Sequence, residues 1–218
     1  MEVGFLTAPF EDVRDAIAVA RATRVRTLEL AHAEVELVHE AGLEIAALAR
    51  YGEWAALEPH IRVAAEHGVP AVSTLAGFPQ DRDRLPELLR PAVELAGELG
   101  VRLAFENWYR TNLRTLDDWR WFLDTFPHAH VGLVFDPSHL EWQGIDWRGA
   151  LAEFRDRIVF VHAKDVAYDE AGDWRYVLPG RGVIDWSELD YDGFVSVEHE
   201  DDDYGPAEGV ALAVEHLR

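Results

Sequence analysis

Residues 85 to 106 read Leu85-Pro86-Glu87-Leu88-Leu89-Arg90-Pro91-Ala92-Val93-Glu94-Leu95-Ala96-Gly97-Glu98-Leu99-Gly100-Val101-Arg102-Leu103-Ala104-Phe105-Glu106. Leu85–Leu99 has the apolar spacing of an amphipathic helix. Gly100 follows it, and a glycine after the last helical turn accepts the left-handed conformation that ends a helix. Val101 leads into Arg102–Glu106, a short apolar run that reads as a buried strand and closes on a carboxylate. The stretch is therefore a helix, a stop and a strand, with a polar group where the strand ends.

The same unit recurs in both directions. Candidate strands fall at Val3–Thr7, Thr27–Ala31, Leu43–Leu48, Ala71–Leu75, Arg102–Glu106, Gly132–Asp136, Val159–Ala163 and Phe194–Glu198. Helix-like stretches lie at Glu11–Thr23, with Val13, Ile17 and Ala20 on one face, and at Trp54–His67, Leu85–Leu99 and Thr115–Phe126. Gly42-Leu43 and Gly68-Val69 repeat the helix exit seen at Gly100-Val101. Eight strand-helix units in 218 residues average about 27 residues each, and regular alternation means parallel strands with right-handed crossovers. Eight such strands can close on themselves. An open doubly wound sheet would more often carry a glycine-rich phosphate loop after its first strand, and Thr7-Ala8-Pro9-Phe10 is no such loop. No linker or low-complexity tract divides the chain, so residues 1–218 are read as a single compact α/β domain, a (β/α)8 TIM barrel.

Composition narrows the function. Forty-one Asp and Glu against twenty Lys and Arg leave a net charge of −21. Such a surface repels phosphate backbones and anionic lipid heads, which argues against nucleic-acid and membrane partners. No apolar run approaches the ~20 residues of a membrane span, and Met1-Glu2-Val3-Gly4-Phe5 lacks the form of a signal peptide. A cytoplasmic location is the expectation. The absence of cysteine removes disulfides, thiolate catalysis and Cys-ligated zinc. Lys164 is the only lysine among twenty basic residues, a bias that fits both GC-rich coding and adaptation to high salt.

Four strand ends carry the chemistry. The fifth ends on Glu106; the sixth ends on Asp136, within Asp136-Pro137-Ser138-His139; the seventh ends on His162, within His162-Ala163-Lys164-Asp165; the eighth ends on Glu198. Barrel enzymes place their active groups at the C-terminal ends of strands. Two Glu, one Asp and one His converging there make an oxygen-rich site with one imidazole, suited to Mn²⁺ or Mg²⁺ and also to Zn²⁺ or Co²⁺. Carboxylates crowded without a cation would repel one another. Any one of these residues alone reads as a helix cap, a satisfied core histidine or a solvated end. Four in succession at equivalent strand ends do not.

These motifs, with Phe105-Glu106-Asn107, Gly180-Arg181-Gly182 and Val197-Glu198, resemble the xylose isomerase-like barrel family of sugar and sugar-phosphate isomerases and epimerases. The last four strands match its motifs; the first half matches in rhythm and in Glu29, at the end of Leu28-Glu29-Leu30. The resemblance implies one divalent metal on Glu106, Asp136, His162 and Glu198. It implies substrate contacts from His139 and Arg181, with Glu29 counted in the same set, and proton transfer by Glu106 and Glu198 on opposite faces of the sugar. Lys164 and Arg181 suit an oxyanion, a carboxylate or a phosphate. His32, Trp108, Trp142 and Trp174 are candidate pocket walls. The implied reaction removes a proton beside a carbonyl through a metal-stabilised enediolate. The implied substrate is a sugar, sugar phosphate or cyclitol, and a homo-oligomer is compatible with the sequence. A dehydratase of inosose or dehydroshikimate type shares the first step, and a metal-binding barrel without activity is the third reading. A three-zinc endonuclease is excluded: Ser73-Thr74-Leu75-Ala76-Gly77 offers no histidine, the loop Gly182-Val183-Ile184-Asp185-Trp186 lacks the expected Asp-x-His pair, and the charge opposes DNA. Several strand-to-helix loops look short, which leaves little chain to cover the mouth.

Overall fold

The computed structural model describes residues 1–218. Eight parallel strands close a barrel: β1 (Glu2–Leu6), β2 (Thr27–Leu30), β3 (Glu44–Ala49), β4 (Ala71–Leu75), β5 (Arg102–Glu106), β6 (Val131–Phe135), β7 (Ile158–Ala163) and β10 (Phe194–Val197), with β10 hydrogen-bonded to both β1 and β7. The helices are α1 (Val13–Thr23), α2 (Val35–Glu40), α3 (Glu58–Glu66), α4 (Leu85–Leu99), α5 (Leu116–Thr125), the single turn α6 (Ser138–Glu141), α7 (Trp147–Phe154) and α8 (Pro206–His216). The open-sheet alternative is thereby excluded. No helix is long and apolar enough to cross a membrane.

The helix boundaries follow from local chemistry. Asp12 caps α1 by accepting from the Arg14 amide. Thr115 and Asp118 form a reciprocal capping box at the start of α5. Gly42, Gly68 and Gly100 take positive φ of 77°, 68° and 71°, as their place after helical stretches predicts. The Trp54–His67 helix starts later than its apolar spacing implies. Residues 54–57 stay outside it, after a short 3₁₀ turn at Tyr51–Glu53, and α3 begins at Glu58 with Pro59 in its first turn, where a missing N–H costs nothing.

Alternation along each strand divides the core into two. Outward residues such as Leu28, Leu48, Val72, Leu103, Phe105, Leu133, Phe135, Val161 and Val197 pack against the helices. Inward residues Ala47, Ala71, Ala104, Val134 and Phe160 form a separate apolar plug. Two residues further along the same inner faces stand Ser73, Glu106, Asp136 and His162. A polar layer therefore sits directly on an apolar one, and both are carried by rigid strands.

One element was not expected from sequence. Between β7 and β10 the chain forms an antiparallel hairpin, β8 (Asp165–Tyr168) and β9 (Trp174–Val177), in register from Asp165 opposite Val177 to Tyr168 opposite Trp174. Its turn contains Gly172 at φ 86°. The hairpin brings Tyr176 to the mouth of the barrel.

Candidate active site

The four strand-end residues meet. Glu106, Asp136, His162 and Glu198 each offer a ligand atom, and these atoms lie within 4.8 Å of one another in buried surroundings. His162 Nδ1 is 3.2 Å from both Glu106 Oε1 and Glu198 Oε2. Asp136 Oδ1 accepts from the Ser138 amide at 2.8 Å, whereas Asp136 Oδ2 is buried without a hydrogen-bond partner. A buried carboxylate oxygen that makes no hydrogen bond, 3.3 Å from the Lys164 ammonium and beside two further carboxylates and an imidazole, belongs to a donor set that fits a divalent cation. The fit rests on this chemistry and does not select the ion.

Local sequence fixes each ligand. Asn107 continues the β5–β6 ladder beyond the strand ends: its Nδ2 donates to the Asp136 carbonyl at 2.8 Å and its Oδ1 accepts from the Asp136 amide at 2.7 Å. That clamp holds Asp136 next to Glu106. The single turn α6 then points His139 back, with Nε2 3.6 Å from Glu106 Oε1 and 3.5 Å from Asp136 Oδ2. Tyr176 on β9 lies 2.8 Å from His139 Nδ1, so the unexpected hairpin orients a histidine that sequence reading singled out.

Lys164 is buried and reaches three carboxylates: Glu198 at 2.7 Å, Glu200 at 3.0 Å and Asp136 at 3.3 Å. Burial disfavours its charge, but Glu198, Asp136 and Glu200 outweigh burial and raise its pKa well above the ordinary value. Burial likewise opposes the Glu198 charge, and Lys164 and His162 nonetheless hold that carboxyl at about 2. Glu106 stays well below the usual carboxylate range because hydrogen bonds from His139 and His162 overcome burial. Cationic and hydrogen-bonding neighbours thus favour the charged form of both glutamates.

Above the cluster lies a cavity of about 410 Å³. Its polar lining is Glu106, Glu198, Glu200, His139, Lys164 and Arg110; its walls include Tyr51, Trp108, Tyr109 and Tyr176. Trp142 and Trp174 stack on each other at 4.7 Å and brace Tyr109 from behind. His32 bonds to Thr7 and to the Phe10 carbonyl and does not line the cavity.

Two residues of the expected substrate set lie elsewhere. Glu29 is fully buried beneath His162, with its Oε2 2.8 Å from His162 Nε2, and does not line the cavity. Arg181 is exposed, with its guanidinium 4.8 Å from the Tyr204 ring centroid. The cause is Asp165, whose carboxylate accepts from the amides of Gly180, Gly182 and Ile184 and from the Trp186 indole. The Gly-Arg-Gly turn is stitched down through its backbone, which sends the arginine side chain outward. The cavity's second cation is instead Arg110, four residues after Glu106. Sequence reading also passed over Glu200 and Tyr51. Glu200 shares the two-residue period of Glu198, and Tyr51 lies two residues beyond the end of β3.

A closed parallel barrel with a buried carboxylate-histidine cluster at the C-terminal ends of its strands defines a class of TIM barrels whose site can hold a cation. The chain belongs to the xylose isomerase-like TIM barrel family, whose model matches residues 24–218. Among characterised sequences it is similar to inosose dehydratases: 28% identity to that of Bacillus velezensis over 56% of this chain and 48% of the relative, and 29% to that of Geobacillus kaustophilus over 55% and 46%. The chain thus spans about half the length of the curated relatives it matches. Similar folds include the probable 3-DHS dehydratase AsbF of Bacillus anthracis, with TM-score 0.82, 19% identity, and coverage of 100% and 98% of the two chains. The 3-keto-D-glucoside 4-epimerase YcjR of E. coli superposes with TM-score 0.79 and 20% identity over 100% and 99%. Both likenesses concern the fold.

Proposed function

We propose that this protein is a divalent-metal-dependent isomerase or epimerase that removes a proton beside the carbonyl of a small polyhydroxylated substrate. The observation that carries the reading is the pairing of Glu106 and Glu198 on the floor of one cavity, over a cluster that can hold a cation. A bound cation would supply Lewis acidity, which draws electron density from the substrate carbonyl and makes the neighbouring C–H easier to deprotonate.

The side chains divide the remaining work. Glu106 and Glu198 stand on β5 and β10, which β6 and β7 separate around the barrel, so their carboxylates reach the cavity from different sides. One takes the carbon-bound proton and the other returns a proton to the opposite face. His139, held by Tyr176 and close to Glu106, is placed to exchange a proton with a substrate hydroxyl. Lys164 steadies Glu198 and favours negative charge developing on substrate oxygen. The aromatic walls exclude water and offer apolar faces to a sugar or cyclitol ring. Arg110 has no carboxylate partner, so it suits an anionic or strongly polar end of the substrate.

Dehydration is the second reading, and the inosose dehydratase relatives favour it. There the same abstraction is followed by loss of a β-hydroxyl, which leaves as water after taking a proton from His139 or Lys164. Incubation of ketoses, ketose phosphates and cyclitols with Mn²⁺ in D₂O separates the two. An isomerase or epimerase places solvent deuterium on the carbon beside the carbonyl, unless one shielded carboxylate carries the proton across. A dehydratase forms an ultraviolet-absorbing unsaturated product. No exchange and no turnover with any of Mn²⁺, Mg²⁺, Co²⁺ and Zn²⁺ would leave a metal-binding barrel without activity.

A further inference from the structure

Glu29 has no place in the mechanism above, yet it is the most heavily hydrogen-bonded carboxylate of the barrel interior. It comes from β2, on the side of the barrel that contributes no ligand, and none of its surface is exposed. Four groups surround it. Ser73 Oγ donates to Oε1 at 2.6 Å and Tyr51 donates its hydroxyl to Oε1 at 3.1 Å. Ser196 Oγ donates to Oε2 at 2.8 Å, and His162 Nε2 lies 2.8 Å from the same oxygen. β2, β3's following turn, β4, β10 and β7 thus all meet at one carboxylate.

An ionised carboxylate only accepts hydrogen bonds. With its other partners donating hydroxyl protons, Glu29 accepts at its Oε2 from His162 only if the imidazole carries its proton on Nε2. The Tyr51 hydroxyl oxygen, 3.2 Å from the same nitrogen, accepts there as well once its own proton is given to Glu29. The ring's other nitrogen, Nδ1, lies 3.2 Å from both Glu106 Oε1 and Glu198 Oε2, and with a cation among these carboxylates it would give up its proton and turn its lone pair to that space. A metal-ligating imidazole needs that arrangement: one nitrogen free to coordinate, the other committed as a donor.

We infer that Glu29 is a positioning residue for the metal centre: it fixes the Nε2–H tautomer and the ring orientation of His162, so that Nδ1 faces the cation. This rests on the metal reading of the cluster and adds a role for the opposite side of the barrel. Ser73, Ser196 and Tyr51 hold the carboxylate itself in place. A purely structural role would require the carboxylate for folding alone and would leave ring chemistry untouched.

The test measures metal affinity and imidazole state, both independent of any substrate. Wild type and Glu29→Gln are titrated with Mn²⁺ and Zn²⁺ against a competing chelator, and the His162 ring nitrogens are followed by long-range ¹H–¹⁵N spectra with and without Zn²⁺. Loss of an outer carboxylate that orients a metal-bound histidine typically costs about 10- to 100-fold in affinity, and Glu29→Gln should show a drop of that size with a changed tautomer signature. Glu29→Asp should recover part of it. If Glu29→Gln does not fold, Ser196→Ala removes one donor from the same oxygen and should weaken affinity several-fold. A folded Glu29→Gln, or Ser196→Ala in its place, with wild-type affinity and an unchanged His162 spectrum overturns the inference and leaves the proposed reaction standing. A wild-type protein that binds no divalent cation overturns both.

Discussion

The two halves of the barrel do different jobs on the same scaffold. β5, β6, β7 and β10 place Glu106, Asp136, His162 and Glu198 together, and the chain around them adds His139, Lys164, Tyr176 and Glu200. β1 to β4 contribute no member of that cluster. They supply apolar wall from Leu6, Ala8 and Leu75, and the buried group of Glu29, Tyr51 and Ser73 behind His162. The carboxylates around His162 Nδ1 come from one side of the barrel, and the group that meets its Nε2 comes largely from the other. Dividing the tasks lets each strand keep the simple alternation of outward apolar and inward functional residues.

The sharpest way to break this contrast is to remove a ligand from the busy half. Asp136→Ala should lose stoichiometric Mn²⁺, read by elemental analysis, and should abolish turnover with it. Glu106→Gln and Glu198→Gln should each reduce turnover by roughly 10²–10⁴-fold, the usual worth of a general acid or base. Metal content must be measured in parallel, because both glutamates are also candidate ligands. Full activity in a metal-free preparation would remove the metal centre from the reaction.

The contrast also explains what could be read from sequence. A period of two puts every inward residue at a known level, so strand ends on Glu106, Asp136, His162 and Glu198 are visible without coordinates, and β4 and β5 begin and end where their apolar runs do. The role of Glu29 is not visible in that way. Its neighbours Leu28 and Leu30 mark it as inward, but its partners Ser196 and His162 are 167 and 133 residues away. The outward course of Arg181 is hidden for a related reason: glycines announce a turn, while the direction of the side chain between them depends on Asp165, whose hold on that loop is non-local. The β8–β9 hairpin lies where rhythm alone calls for a helix, and its five-residue polar turn, Asp169-Glu170-Ala171-Gly172-Asp173, carries the only local sign of it.

A second prediction uses adjacent residues on the quiet half. Leu28 and Glu29 point to opposite faces of β2, and both are fully buried. Leu28→Ala should lower unfolding free energy by about 2–5 kcal/mol through lost burial and a cavity. Metal affinity of the folded protein should hold, since the outer face touches helices and not the site. Denaturant melts alongside chelator competition check it. A parallel loss of affinity would mean that the two faces are mechanically coupled.

A smaller effect tests the rim. Arg110 is the cavity cation without an ion-pair partner, whereas Lys164 is held by three carboxylates. For an anionic substrate, Arg110→Gln should raise KM about 10- to 100-fold, since a hydrogen bond to a charged group contributes about 1.5–3 kcal/mol. The kcat should change far less, and a neutral substrate should hardly notice. Equal losses for charged and neutral compounds would recast Arg110 as packing for Trp108 and Tyr109, near whose rings it sits.

The smallest effect lies outside the site and applies to both halves alike. A net charge of −21 makes the folded surface repel itself. Raising salt from 0.1 M to 1 M shortens the screening length from about 10 Å to about 3 Å, which relieves that repulsion and also weakens exposed pairs such as Arg120 with Glu153 and Arg14 with Asp12. Each exposed pair contributes only about 0–1 kcal/mol, and acidic side chains outnumber basic ones two to one, so relief of repulsion should win. The melting temperature should rise with NaCl. The buried cluster is screened far less than the surface, so the salt-induced gain in stability should be the same in wild type and in Asp136→Ala. A melting temperature flat from low to molar salt would show that the acidic surface carries no stability cost for salt to relieve.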